Sequence, residues 1–370
     1  MSLQVRPVDG DFESVAPWWD AVLARTAKPS PFASHAWLSS WWATYGSGAQ
    51  LHLLRLEEDG RTAGGGAFYI RRRRLRGLLP VRELRLVGDR HVGSEGLDLL
   101  VERGLEGPAR MALKHHLAAG GAPAWDLAHF TGLRPGAVLL GDGSPGAHSW
   151  AQQVNRCPYL ILPTDRPVAP LKKDFAARVA RKSRGLLLRG GHRFERCETE
   201  SQIGPLLEAL FFYHQKRWVE RGEKGSFAAS AKRAFYEKVT PLLLRAGRLE
   251  LFGIWDAERP RAVLFGASAG GTLFYLQSAF DAELGSFGPG NVLMFQILRQ
   301  AQERGFERFD FMKGDEAYKF QWTQQEEPLI VHRSAAPGWR GSLLMTLLRL
   351  DAAFRRPMPA SAGSERVVTA

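Results

Sequence analysis

The sequence predicts two α+β domains in tandem, each with a mostly antiparallel mixed sheet flanked by helices. The chain has 370 residues, of which 45% are hydrophobic, and this is enough for two cores. One order of elements occurs twice with little sequence identity between the copies: helices, consecutive antiparallel strands, a helix and a final strand. A proline-rich connector at residues 163–167 separates the copies. We therefore predict domains at 1–163 and 164–335, followed by a tail at 336–370.

The first copy begins with two helices, because apolar residues recur at helical spacing over residues 11–25 and from Ser34 onward. The arginine run 71–74 is interpreted as a solvated turn that closes a strand, rather than as a nucleic-acid-binding segment. Residues 141–146 are predicted to form a loop. The remaining elements are predicted strands at 51–56, 67–70, 82–87, 97–101 and 125–130, and a helix at 107–119.

The second copy repeats this order. Its tail is predicted to form an amphipathic helix at 343–354 that docks on the domain, with disorder beyond residue 357. The predicted elements are helices at 172–189, 203–220, 231–246 and 291–304, and strands at 249–255, 262–268, 273–280 and 308–312.

A glycine-rich turn in the second copy separates a strand from a helix. Gly285, Gly288, Pro289 and Gly290 end the strand, and Asn291 is a suitable helix cap. Backbone N–H groups at a helix start face outward beside the positive end of the helix dipole, which favours phosphate oxygens. From this segment alone, a turn that binds no ligand is an equally good interpretation.

The corresponding segment of the first copy is Glu102-Arg103-Gly104-Leu105-Glu106-Gly107-Pro108. It places acidic side chains where an anion would have to bind. We therefore predict that the first domain has a structural or substrate-binding role and that chemistry belongs to the second domain.

The formal net charge of +12 would attract nucleic acid, anionic lipid or an acidic small molecule. The basic helix at 172–196 is equally consistent with a solvated face and with an anion-binding role, and it lacks the interleaved aromatic residues of single-strand nucleic-acid binders. Cys157 and Cys197 have no metal-ligand spacing, so no metal is expected. No signal peptide or membrane span is predicted, and a cytoplasmic protein is expected.

Three segments of the second copy carry a family resemblance. They are Ser278-Ala279-Phe280-Asp281, then Gly288-Pro289-Gly290, then Phe309-Asp310-Phe311-Met312-Lys313-Gly314 with Tyr318-Lys319-x-x-Trp322. This pattern resembles the CelD-type acyltransferases of the GNAT superfamily, whose relatives include the FemAB peptidyl transferases. Gly288 stands where the family pattern has serine. The resemblance implies tandem GNAT-like domains and acetyl-CoA or another acyl-CoA as the donor, held by the strand, turn and helix.

The resemblance also assigns residues to the donor and the acceptor. Arg217 and Trp218 match a family position on the acceptor side, and Glu316 is assigned to the substrate as well. The residues assigned to the donor are Tyr275, Gln277, Ser286, Gly288, Pro289, Gly290 and Asn291.

Direct acyl transfer requires that the protein position both reactants, remove a proton and stabilise charge. Asp281, Asp310 and Glu316 lie near the predicted open end of the sheet and are the possible bases. Asp281 is equally suited to capping the turn, and Asp310 to fixing a loop. Tyr318 and Lys319 match the family's Tyr-Lys pair, which implies that Lys319 meets a phosphate or oxyanion and that Tyr318 protonates the leaving thiolate. The predicted catalytic set is Asp310, Tyr318, Lys319 and Asp281.

The leading hypothesis is an acyltransferase acting on an amine or hydroxyl of a cell-envelope or exopolysaccharide-related acceptor, a class that comes from the resemblance. Under this hypothesis nucleic acid is not an expected partner. The second hypothesis is a FemAB-like enzyme that uses aminoacyl-tRNA as the donor. The third is a non-catalytic protein of this fold in a polysaccharide-synthesis assembly. The acceptor's identity, the acyl length and the oligomeric state do not follow from the sequence.

Overall fold

The computed structural model describes residues 3–75, 77, 79–140 and 148–354. In chain order the helices are α1 (Ala16–Arg25), α2 (His35–Tyr45), α3 (Glu106–Ala118), α4 (Lys173–Arg184), α5 (Ile203–Val219), α6 (Ser230–Arg245), α7 (Pro289–Glu303) and α8 (Trp339–Phe354). The strands are β1 (Gln4–Val8), β2 (Gln50–Glu58), β3 (Arg61–Leu75), β4 (Leu79–Leu86), β5 (Leu100–Val101), β6 (Leu127–Leu133), β7 (His148–Ile161), β8 (Arg193–Arg196), β9 (Leu249–Trp255), β10 (Pro260–Ala269), β11 (Thr272–Phe280), β12 (Arg308–Asp310) and β13 (Glu326–Ala335).

The chain divides into two compact units. Unit 1 takes the described residues up to Arg156 and from Glu327 onward, and unit 2 takes Cys157–Glu326. This differs from the predicted boundary after residue 163 and from the predicted separate tail after residue 335. The reason is strand pairing: β13 pairs antiparallel with β6, so the chain returns to unit 1 after completing unit 2.

Unit 1 contains a mixed, mostly antiparallel sheet. Its strands follow the order β1-β2-β3-β4-β6-β13 and then the part of β7 up to Arg156. The connection from β4 through α3 to β6 produces a parallel pair in which Glu83 lies opposite Leu127. Helix α8 contributes Leu344 and Met345 to a buried cluster of this unit, so the tail helix packs on unit 1.

Unit 2 repeats this arrangement. Its strand order is β8-β9-β10-β11-β12 followed by the end of β7. β11 and β12 form the parallel pair and α7 connects them, as α3 connects β4 and β6. The same element order and the same parallel pair in both units confirm the predicted tandem α+β duplication.

Helix α7 lies on the core of unit 2 because its apolar residues recur every three or four positions. Val292, Ile297 and Leu298 are fully buried, as are Phe309 and Phe311 at the following strand. Its C-terminal end is held to β9 by Glu250, which is 0% exposed and accepts two hydrogen bonds from Arg304 at 2.6 and 2.8 Å. This buried ion pair fixes the helix that the site depends on.

Several local expectations differ from the structure. The arginines 71–74 lie inside β3 rather than in a turn, because β3 continues to Leu75 in register with β4. The strand predicted at 97–101 is limited to Leu100–Val101. The predicted loop at 141–146 and the tail beyond residue 357 lie outside the described residues.

Candidate functional site

The parallel strands β11 and β12 separate soon after they begin. They pair over three residues, from Thr272 opposite Arg308 to Phe274 opposite Asp310, after which β12 ends and β11 continues. The register with β10 also shifts between the partners of Tyr275 and Gln277, which places a bulge at Leu276. Strand pairing therefore stops between residues 275–278 of β11 and residues 311–313 after β12. We call this region the wedge.

The start of α7 adjoins the end of β11. Gly288 is the N-cap, with φ of 61° in the left-handed region that favours glycine, and Pro289 is the first helical residue. The ring of Phe280 lies 3.1 Å from the position that a Cβ on Gly290 would occupy. Both glycines therefore meet a local requirement of the backbone or of its packing.

The amides of this turn do not fan outward as the sequence led us to expect. Pro289 has no N–H, Gly288 donates to the Gly285 carbonyl at 2.9 Å, and Asn291 donates to the Gly288 carbonyl at 3.0 Å. The reason is that a 3-10 turn at Ala282–Phe287 runs directly into α7, so these donors bond to the preceding turn. The capacity of this turn for an anion is smaller than predicted.

A cation lies against the same turn. The Lys182 ammonium on α4 is 3.8 Å from the position of a Cβ on Gly288, and the side chain is half-buried. Among the described residues it has no hydrogen-bond or ion-pair partner. Helix α4 is fixed against α7 by a 2.7 Å hydrogen bond from Gln296 to Ser183. A cation beside the positive end of a helix favours a bound anion, because both groups attract negative charge.

Lys319 lies in a different environment from the one expected for a residue that meets substrate. Its side chain is 3% exposed and its Nζ contacts a Glu316 oxygen at 2.8 Å. The same ammonium donates to the carbonyls of Lys313 at 2.7 Å and Met312 at 3.3 Å. The ammonium therefore donates to two carbonyls of the loop that borders the wedge and forms an ion pair with Glu316, and Lys319 positions that loop.

The two aspartates predicted as catalytic are also engaged. Asp310 is 1% exposed; it accepts the Met312 amide at 2.9 Å and pairs with Arg308 at 3.2 Å. Met312 has φ of 60°, so this hydrogen bond supports an unfavourable backbone conformation. Asp281 caps the 3-10 turn by accepting the Glu283 amide at 3.1 Å and pairs with Arg261 at 3.0 Å. The observed contacts of Asp310 are those of a residue that fixes a loop, and those of Asp281 are those of a residue that caps a turn.

Tyr275 and Tyr318 lie on opposite sides of the wedge. Their ring centroids are 6.5 Å apart in an edge-to-face arrangement, and both side chains are half-buried. The Tyr275 hydroxyl and the Ser278 hydroxyl are hydrogen-bonded at 2.7 Å. Gln277 is half-buried on β11, and Ser286 is exposed in the 3-10 turn. Tyr275 and Tyr318 are thus brought together, and Gln277 lies two residues further along β11.

The residues assigned to the acceptor lie in two places. The Arg217 guanidinium is 5.6 Å from the centroid of Phe280, which places it beside the start of α7. Trp218 donates its indole N–H to Nε2 of His214 at 3.1 Å. Glu316 folds over Gly314, where a Cβ would clash with its carboxylate.

A buried lysine was missed by sequence reasoning. Lys232 on α6 is 9% exposed, and burial together with the charge of Lys313 lowers the pKa of its ammonium to about 8. A signal was present, because Lys232 lies in the helical stripe of buried residues that includes Phe235, Tyr236 and Val239. A lysine in such a stripe is unusual for a structural position.

His214 gives a pH-dependence prediction. Burial lowers its pKa from 6.5 to about 4, so between these values the unfolded state binds the proton and the folded state does not. Stability should therefore fall as pH decreases from 6.5 to 4, by roughly 2–3 kcal/mol from this group. Urea unfolding at pH 6.5 and 4.5 measures this change in the free energy of unfolding.

His214→Gln should remove the part of the pH dependence that comes from His214. His115→Gln, which changes an exposed ring, should retain it. The same pH dependence of stability in both variants would contradict the assignment to His214.

Comparisons with known proteins concern the domain family and the fold. Residues 173–320 match the family model described as an acetyltransferase (GNAT) domain. The structure of FemX is similar with a TM-score of 0.61 and 11% identity, covering 93% of this chain and 99% of that one. The C-terminal domain of a putative lysylphosphatidylglycerol synthetase from Agrobacterium fabrum gives a TM-score of 0.57 and 15% identity, covering 93% and 96%. The structure of L-PGS from Bacillus licheniformis is similar with a TM-score of 0.54 and 12% identity, covering 92% of this chain and 97% of that one.

A search of curated proteins gives no match. The fold is the GNAT fold, and the family match identifies the segment that contains the wedge and α7 as a GNAT-type acyltransferase domain. The described residues contain no group of three or more potential metal ligands. Within the same residues, no helix combines the length and apolar character needed to cross a membrane.

Proposed function

We propose that unit 2 transfers an acyl group from acyl-CoA directly to an amine or hydroxyl of its acceptor, with the thioester in the wedge and the donor's phosphates at the start of α7. The observation that carries this proposal is the unpaired Lys182 ammonium beside Gly288, next to parallel strands that separate after three paired residues. A phosphate there would supply the missing counter-charge.

The chain's contribution to the reaction is mainly positioning. In a direct transfer the acceptor atom forms a bond to the thioester carbonyl, the carbon–sulfur bond breaks, and the acceptor's proton must leave as the thiolate is protonated. Tyr318 faces the wedge and is the proposed donor of a proton to the thiolate. Asp310, Asp281 and Glu316 already contact partners within the protein, so in this proposal they fix the loops that shape the wedge.

Replacing Lys182 with methionine tests the donor site. We expect acetyl-CoA to bind roughly 10–100-fold more weakly, because a charge-assisted hydrogen bond contributes about 1.5–3 kcal/mol. The matched control is Lys173→Met, since Lys173 lies at the other end of α4 and is exposed. Both variants lose one positive charge, so calorimetric titration separates a local contact from the overall field. Equal affinities in the two variants would contradict this placement of the donor.

Aminoacyl-tRNA is the second candidate donor. The bonded amides of Gly288 and Asn291 reduce the capacity of the turn for a diphosphate, and the basic face of α4 suits a nucleic-acid backbone. Binding of tRNA that weakens steeply with added salt, together with no binding of acetyl-CoA, would favour this candidate over acyl-CoA.

The acceptor is proposed to belong to the cell envelope or to an exopolysaccharide, and the protein is proposed to act in the cytoplasm. Support for the acceptor class comes from the similarity in fold to FemX and to lysylphosphatidylglycerol synthetases. Folds are reused for many substrates, so acyl-transfer assays with envelope-derived amines and saccharides are the deciding measurement.

A further inference from the structure

Lys232 presents a buried positive charge without a counter-charge. Its Nζ lies 5.0 Å from the centroid of Phe227, and 9% of the residue's surface remains exposed. Within the part of the chain that the structure describes, it forms no hydrogen bond or ion pair. Removing an ammonium from water without a partner is unfavourable, because the lost hydration is not replaced.

The neighbouring groups increase this positive potential. Lys313 acts on Lys232 by charge repulsion, and burial and this repulsion together lower the pKa of Lys232. Lys232 and Arg217 likewise act on His214 and contribute to its lowered pKa. No acidic side chain contributes to the lowered pKa of either Lys232 or His214. The charged groups that lower these two pKa values are therefore all cations.

His214 adds a donor with no acceptor. Its Nε2 accepts the Trp218 indole N–H at 3.1 Å, which places the imidazole proton on Nδ1. Nδ1 is buried and has no hydrogen-bond partner among the described residues. The rings of His214 and Phe227 are 4.9 Å apart, so this donor and the Lys232 ammonium adjoin the same aromatic ring. We call Lys232, Lys313, His214 and Phe227 the Lys232 cluster.

The cluster adjoins the reaction site, because Lys313 follows β12 directly and borders the wedge. It differs from the proposed donor site, which lies at Lys182 and Gly288. Lys313 comes from the loop after β12, whereas His214 and Lys232 come from α5 and α6. A ligand held here would therefore contact the wedge from the side of α5 and α6.

We propose that the Lys232 cluster binds an oxyanion, a carboxylate or phosphate, carried by the acceptor. The assignment to the acceptor rests on the proposed function, whereas the oxyanion site itself does not. A bound oxyanion would supply the counter-charge that Lys232 lacks among the described residues. The proposal restricts the acceptor to molecules that carry an anionic group near the reacting amine or hydroxyl.

The test uses the full-length protein without any acyl donor. Thermal unfolding is measured with increasing sodium phosphate or sodium acetate at constant ionic strength, with chloride as the reference. We expect one of these anions to raise the Tm of the wild type by mass action. The anion that does so distinguishes a phosphate site from a carboxylate site.

Lys232→Met should weaken this response at least tenfold in apparent affinity and raise the Tm measured in chloride alone, since the unpaired charge is gone. Lys238→Met is the matched control, because Lys238 is exposed on the same helix, and it should respond like the wild type. Lys313→Met, at an exposed side chain, is a second variant that leaves the core unchanged and should also weaken the response.

Three results would overturn the proposal: no response to either anion in the wild type, an equal response in Lys232→Met, or a lower Tm of Lys232→Met in chloride, which would make Lys232 a structural residue. Binding of acetyl-CoA by the same preparations is measured separately. The two proposals can therefore fail independently, since one concerns an anion alone and the other the acyl donor.

Discussion

Replacement of Lys319 by methionine should lower the free energy of unfolding by about 2–4 kcal/mol. The ammonium is 3% exposed and satisfies two backbone carbonyls and the Glu316 carboxylate. Methionine fills a similar volume but leaves these acceptors without a donor in a largely buried loop. Since that loop borders the wedge, acyl transfer should fall together with stability. Urea unfolding and transfer rates measured on the same samples check both effects.

Lys216→Met is the control, because Lys216 is exposed on α5 and the same charge is removed. Its stability and activity should remain close to those of the wild type. The opposite pattern for Lys319→Met, with wild-type unfolding but transfer reduced by orders of magnitude, would show that Lys319 stabilises reacting charge directly, as the family resemblance implies. The experiment thus separates a positioning role from a catalytic one.

Replacement of Arg304 by methionine should destabilise the protein by about 3–5 kcal/mol at neutral pH. The variant leaves the Glu250 carboxylate 0% exposed, with Ser268 at 3.0 Å as its remaining side-chain donor. Because α7 loses its attachment to β9, acetyl-CoA binding should also weaken. Chemical denaturation at pH 7 measures the stability change directly.

A double variant tests whether the unpaired Glu250 carboxylate causes this loss of stability. Adding Glu250→Gln to Arg304→Met should recover much of the stability at pH 7. A double variant no more stable than the single one would show that the buried charge is not the cause.

Much of the fold could be predicted because its signals are local. Helix α5 and strands β9 and β11 lie where the spacing of apolar residues placed them, within one or two residues at each end. The missed strands β1, β8 and β13 are largely polar or only partly buried, as the exposed residues of Gln4–Val8 show. Their alternation is weak, and pairing with a distant strand determines their structure.

The site was predicted only in part. The sequence assigned Tyr275 and Tyr318 to the same site, and their rings are in contact because the loop after β12 meets β11 beside the parallel pair. It did not reveal that Lys319 and Asp310 are buried with their hydrogen bonds satisfied, or that Lys182 approaches Gly288. These contacts join segments that are about 100 residues apart or depend on backbone angles such as the φ of Met312.

The sequence by itself determined the duplicated α+β architecture, the glycine turn before α7 and the strongly basic character of the chain, since propensity, periodicity and charge are properties of neighbouring residues. Only the tertiary structure decided which of the charged groups are paired. Lys319 and Lys232 are both buried lysines. Lys319 donates to two carbonyls and pairs with Glu316, whereas Lys232 has no hydrogen-bond or ion-pair partner among the described residues. Their difference arises from the distances between groups that the folded chain brings together, and charge interactions depend on those distances.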